Sequence, residues 1–230
     1  MPSPSRTAYR RFAVLAARHV VLVAVALAPH NVLSQPATAS PLYSPAVGIT
    51  ADTQAVATWA VSARDAGGLP FVVVDKRRAT VTAFDASGRF LGSTAVLLGL
   101  ARGDHSVPGI GDRKIADIRP HERTTPAGRF VAELGTNSNG EDILWVDYDA
   151  AISMHRVRPV AASQRRIERL ASPTPNDNRI SYGCINVPAT FYDETVKPLF
   201  APRNGIVYVL PDSKPLASVF SAAVAARSGH

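Results

Sequence analysis

Cysteine is almost missing from this sequence: among 230 residues there is one, Cys184. A single thiol cannot close an intrachain disulfide, so no disulfide framework holds the fold. Close metal-ligand pairs are missing as well. There is no C-x-x-C and no H-E-x-x-H, and His121-Glu122 has no second histidine at the needed spacing, so no metal is expected. Pro108-Gly109-Ile110-Gly111 is too short for a dinucleotide fingerprint and lacks its strand–helix setting, so no cofactor is expected either. Excess charge is largely confined to one end. The formal net charge is +7, but residues 1–39 hold Arg6, Arg10, Arg11 and Arg18 and no acid; the remainder carries 21 basic against 18 acidic residues, or +3. That balance gives no support to a nucleic-acid partner. No internal repeat and no second domain are visible. The two tryptophans, Trp59 and Trp145, read as core or edge packing rather than sugar platforms.

What is present begins with a leader. Residues 1–11 are basic, an apolar stretch is strongest at VVLVAVALA, and small and polar residues SQPATAS follow. This order is that of a secretory signal peptide, with an uncleaved anchor as the alternative and the only expected membrane contact. The chain is therefore expected outside the cytosol, in the periplasm or cell envelope. Four parts follow: leader or anchor at 1–39, linker and lead-in helix at 40–68, one catalytic domain at 69–211, and a tail or Ala-rich helix at 212–230. Within the domain, strand patterns dominate: PFVVVD, TVTAF, FLGSTAVLL, GRFVAEL, ILWVDY, AISMH and GIVYVL. Residues 102–120, rich in Gly, Pro and Asp, read as a long loop. Helices are expected at 53–66, at 159–171 and at 188–200. In the middle one Val160, Ile167, Leu170 and Ala171 share the buried face while Arg165, Arg166, Glu168 and Arg169 face water.

Outside the cytosol a lone thiol is an intermolecular bridge, a buried small hydrophobe or a reactive group. Cys184 lies in RISYGCINVP, where a loop is expected to run into a helix. Backbone N–H groups at such a turn stabilise a thiolate and later an oxyanion, and Gly183 permits close approach. The amides of Gly183 and Cys184 are the candidate oxyanion donors. A thiol also needs a base. His155, at the end of the apolar strand AISMH, is the best placed; His105 and His121 lie in loops.

Together TTPAGRF, the strand-ending His155 and SYGCIN resemble the L,D-transpeptidase family of the YkuD type, over roughly residues 69–211. The resemblance implies a mostly β, sandwich-like domain with a few short helices, acting on peptidoglycan stem peptides. It implies Cys184 as nucleophile, His155 as general base, Gly183 in the oxyanion pocket, and Ser181 and Asn186 as polar supports. Three departures stand out. Tyr182 replaces the family's histidine before Gly-Cys; it can donate a hydrogen bond but does not titrate near neutrality. Arg156 follows the histidine, where glycine is common, and could hold a substrate carboxylate. The spacer from His155 to Cys184 is long. Arg179, beside the cysteine motif, is the other candidate for substrate carboxylates. The expected function is an exported cysteine acyltransferase, with transpeptidase or carboxypeptidase outcome. The alternatives are an inactive cell-wall peptide-binding module and a thiol hydrolase of another amide or ester.

Overall fold

A computed structural model describes residues 48–158 and 161–228. The leader, the start of the linker and the first residues of the helix expected at 159–171 lie outside the described residues. The chain opens with α1 (Ala51–Ser62), a helix set by its cap. Thr50 accepts from the Thr53 amide at 3.2 Å and donates to Asp75 at 2.9 Å, so the helix starts two residues before the expected position. It stops at Ala63, just before Arg64 takes a positive φ of 55°.

Ten strands follow: β1 (Phe71–Asp75), β2 (Thr80–Phe84), β3 (Phe90–Ala95), β4 (Leu98–Gly99), β5 (Gly128–Thr136), β6 (Asp142–Asp147), β7 (Ile152–Arg156), β8 (Arg179–Ser181), β9 (Ile185–Val187) and β10 (Gly205–Val209). Eight form one sheet in the order β3-β2-β1-β10-β5-β6-β7-β9, while β4 and β8 make a small second sheet. Most neighbours are antiparallel, but β1–β10, β7–β9 and β4–β8 are parallel. The molecule is mostly β, with a large sheet and a few short helices, as expected.

Alternation along β1 and β10 decides the layering. Val72, Val74, Val207 and Val209 enter one core with Leu144, Met154, Ile185 and Val187 from the far half of the sheet, which must therefore curl over itself. Phe71, Val73, Ile206 and Tyr208 enter a second core beneath α1 and the C-terminal helix α5 (Ser221–Ser228). Phe220 and Ala223 are buried there, and Trp59 meets Tyr208 and Phe220 edge-on, so the end of the chain forms a packed helix. α2 is short (Arg166–Leu170), preceded by a 3-10 turn (Ala162–Gln164). Its expected buried face is not formed: Ile167 is 54% exposed, and Ala171 is exposed too. Five residues offer too short a stripe to cover a core. The helical stretch after Pro188 is α3 (Ala189–Phe191), a π-turn (Tyr192–Val196) and α4 (Lys197–Phe200), and its Phe191, Tyr192, Val196 and Phe200 close the first core.

Candidate active site

The parallel pairing of β7 and β9 sets Met154 opposite Ile185, His155 opposite Asn186 and Arg156 opposite Val187. Met154 and Ile185 go into the core. Period two then turns Ser153, His155, Cys184 and Asn186 to the other face. The loop carrying Cys184 joins β8 to β9, so the cysteine precedes a strand, not a helix; the first helical residue is Ala189. Ile185-Asn186-Val187 takes the extended form because β7 pairs it on one side and Leu97 bonds Asn186 on the other, at 2.8 and 2.9 Å. The expectation of a helix N-terminus behind the thiol is thereby corrected.

Cys184 is partly exposed. Its Sγ lies 3.6 Å from the Ser153 hydroxyl, which donates to it, and 3.7 Å from the Ala151 carbonyl. Ser181 shapes the loop: its hydroxyl donates to the Cys184 carbonyl at 2.6 Å and accepts from the Gly183 amide at 3.1 Å. The Gly183 amide is therefore engaged by Ser181 and is not an open oxyanion donor. Gly183 itself has φ +136°, and a Cβ there would meet the Thr124 carbonyl at 2.7 Å and Ile152 at 2.6 Å, so the position requires glycine. The Gly183 carbonyl accepts from the Thr125 hydroxyl at 2.7 Å, which in turn accepts from the Gly99 amide at 2.9 Å. Thr125 of the TTPAG stretch thus anchors the cysteine loop, a role that the motif's order hinted at without assigning.

His155 is oriented from both sides. Its Nδ1 lies 2.8 Å from the Arg156 carbonyl and its Nε2 lies 3.1 Å from Asn186 Nδ2. The chain of donors settles the proton. Arg166 only donates, and its Nη1 lies 2.7 Å from Asn186 Oδ1. The amide nitrogen of Asn186 must then face His155 and donate to Nε2, so the ring proton sits on Nδ1, matched to a carbonyl. Burial holds the His155 imidazole below its ordinary range of about 6.5, and Arg158 and Arg166 add to this, although the bond to the Arg156 carbonyl works against it. His155 and Cys184 are diagonal neighbours on one face. In this structure Nε2 bonds Asn186.

Arg166 was expected in water. It is half-buried instead, with Nε 2.6 Å from Gln164 Oε1. No pattern in the short α2 signals this. Tyr182 lies under the Arg123 guanidinium, 3.9 Å from its ring centroid. Neither of the two expected carboxylate binders opens toward the thiol. Arg156 is held by Asp142 at 3.0 and 3.1 Å and by Asp193, and it sits 4.3 Å over the Tyr192 ring. Arg179 is buried, bonds the Lys76 carbonyl at 2.7 Å and pairs with Asp212 at 3.0 Å. It belongs to a buried ionic cluster beside the loop, with its Nε and Nη1 left without a hydrogen-bond partner among the described residues. There Lys76 donates to Asp104 at 2.9 Å, to Gly103 at 2.6 Å and to the Thr125 carbonyl at 2.7 Å. Trp145 stacks on Tyr148 at 4.8 Å, an arrangement of the sheet surface.

No protein-family profile and no curated protein matches the chain. Among solved structures it is similar to the helical cell shape determining protein Pgp2 from Campylobacter jejuni: 14% identity, TM-score 0.37, covering 64% of this chain and 49% of that one. It is similar to an L,D-transpeptidase from Xylanimonas cellulosilytica, at 14% identity and TM-score 0.37 over 61% of this chain and 60% of that one. It is also similar to the catalytic domain of the E. faecium L,D-transpeptidase, at 18% identity and TM-score 0.31 over 61% and 96%. The chain spans about half the length of the Campylobacter protein.

Proposed function

We propose that this chain is an exported cysteine acyltransferase of the L,D-transpeptidase type acting on peptidoglycan stem peptides. The observation that carries the reading is the shared face of β7 and β9, on which the only thiol and a neutral, proton-directed histidine are diagonal neighbours. The motif resemblance supplies the substrate class.

In this reading the Cys184 thiol gives its proton to His155 Nε2, which exchanges its Asn186 contact for the sulfur. The thiolate attacks a stem-peptide carbonyl and a carbon–sulfur bond forms. The Cys184 amide, with the Tyr182 hydroxyl as a second donor, holds the oxyanion. The leaving amine takes the proton from His155 as the carbon–nitrogen bond breaks. An acceptor amine, or water, then displaces the thiolate from the thioester. The setting is the periplasm or cell envelope, reached through the leader.

The test is incubation of the folded protein with purified tetrapeptide muropeptides, followed by mass analysis of the products. Cross-linked or trimmed muropeptides from the unmodified protein, and none from Cys184→Ala, are expected. Equal turnover by Cys184→Ala overturns the reading. Binding without turnover by the unmodified protein replaces it with a peptide-binding module.

A further inference from the structure

Arg166 stands apart from the other arginines around β7. Arg156, Arg158 and Arg179 each pair with a carboxylate: Asp142 and Asp193, Glu141, and Asp212 respectively. Among the described residues Arg166 pairs with none, and the residues outside them contain no Asp or Glu. Its recorded partners, Gln164 and Asn186, are neutral oxygens. A guanidinium carries five N–H donors, and among the described residues these two bonds leave three without a protein acceptor. The group is nevertheless half-buried. Burial pushes its pKa down, and the charges that would pull it back up are those of Cys184 and Tyr182. A partly desolvated cation without a counter-charge is costly, and a bidentate carboxylate would offset that cost.

We propose that Arg166 is the anion-binding residue of this site, taking a substrate carboxylate next to Cys184. The proposal rests on the reading of Cys184 as a nucleophile. It moves the carboxylate-recognition role from Arg156 and Arg179, which are occupied, to a residue of the long spacer. Stem peptides are rich in carboxylates, and the planar guanidinium accepts one in two parallel bonds. Arg166 is a specificity-determining residue in this account; the proton moves between Cys184 and His155.

The experiment compares alkylation of Cys184 by iodoacetate, which carries a carboxylate, and iodoacetamide, which is neutral. Both reagents meet the same sulfur, so the ratio of their rates isolates the charge. In Arg166→Gln the iodoacetate-to-iodoacetamide ratio is expected to fall about three- to tenfold, as for one lost ion contact near a surface. Arg166→Lys should keep most of the ratio. In the unmodified protein, rising salt should move the ratio in the same direction as Arg166→Gln, which tests the charge with no substitution at all. A role in packing alone would change both rates together. An unchanged ratio in Arg166→Gln, or a salt-independent ratio, overturns the proposal. Muropeptide turnover with an unshifted ratio would remove Arg166 from recognition and leave the transpeptidase reading intact; a shifted ratio without turnover would do the reverse.

Discussion

Two charged clusters flank the loop that holds Cys184, and they are built on opposite plans. Below it, Lys76, Asp104, Arg179 and Asp212 are buried, and the Asp104 carboxylate accepts from the amides of Asp212 and Lys214 at 2.5 and 3.0 Å, from Ser213 and from Lys76. Above it, Arg166, Asn186 and His155 form a line that opens toward the thiol, with donors left over. The lower cluster is buried and ion-paired and holds parts together, although among the described residues Arg179 Nε and Nη1 and Asp212 Oδ2 have no hydrogen-bond partner. It joins β1, the loop after β4, the Thr125 turn and the segment after β10, and through Thr125 it reaches Gly183. The upper one has capacity for a ligand. A charge in contact with its counter-charge reports on architecture; one that is half-buried and unpaired by carboxylate points to chemistry.

Breaking the lower cluster should cost the most stability. Asp104→Ala leaves a buried ammonium unpaired, and a loss of about 3–5 kcal/mol in urea unfolding is expected. The cluster should also set acid sensitivity. Burial opposes ionisation of Asp104, but the Asp212 amide, the Ser213 hydroxyl and Lys76 together hold its carboxyl far below the usual carboxylate range. A depressed carboxylate contributes stability that is complete above its unfolded value of about 3.9 and is lost as pH falls through the folded one. Unfolding midpoints of the unmodified protein should fall below that pH more steeply than those of Asp104→Asn.

Gly183→Ala comes next. Its positive φ and the nearby Thr124 carbonyl predict a loss of about 1–3 kcal/mol, and displacement of Cys184 should slow its alkylation. Ser181→Ala removes the hydroxyl that ties Gly183 to Cys184 and should cost about 1 kcal/mol in the same unfolding assay. The smallest change belongs to the upper cluster. Because the folded His155 value is depressed, its neutral form adds stability present above about pH 6.5 and lost as pH falls through the folded value. His155→Gln should flatten that part of the stability profile, read from urea midpoints at a series of pH values. If upper-cluster substitutions proved as destabilising as Asp104→Ala, the contrast between the two clusters would fail.

Much of the fold was legible because strands announce themselves. FVVVD, TVTAF and GIVYV carry β-branched and aromatic residues in close succession and are strands in the fold. Helix α2 was misread because five residues hold too little periodicity to tell a buried face from an exposed one, and the outcome put Ile167 outside and Arg166 inward. The four residues that share the thiol's face were in part readable: His155, Cys184 and Asn186 came from the motif, while Ser153 depended on the register of β7 with β9. The fate of Arg156 and Arg179 was not readable. Their partners lie 14, 33 and 37 residues away, and nothing local marks such pairs.

The central claim is that burial keeps His155 neutral while the Arg166–Asn186 chain directs its proton to Nδ1, leaving Nε2 the basic nitrogen on the thiol's face. A ¹⁵N–¹H correlation spectrum of the imidazole tests it most directly, recorded across pH 5–8 on uniformly labelled protein. The account predicts a protonated Nδ1 and a bare Nε2 at neutral pH, with the charged form appearing only below the ordinary histidine range. A proton on Nε2, or an imidazolium at pH 7, would contradict it.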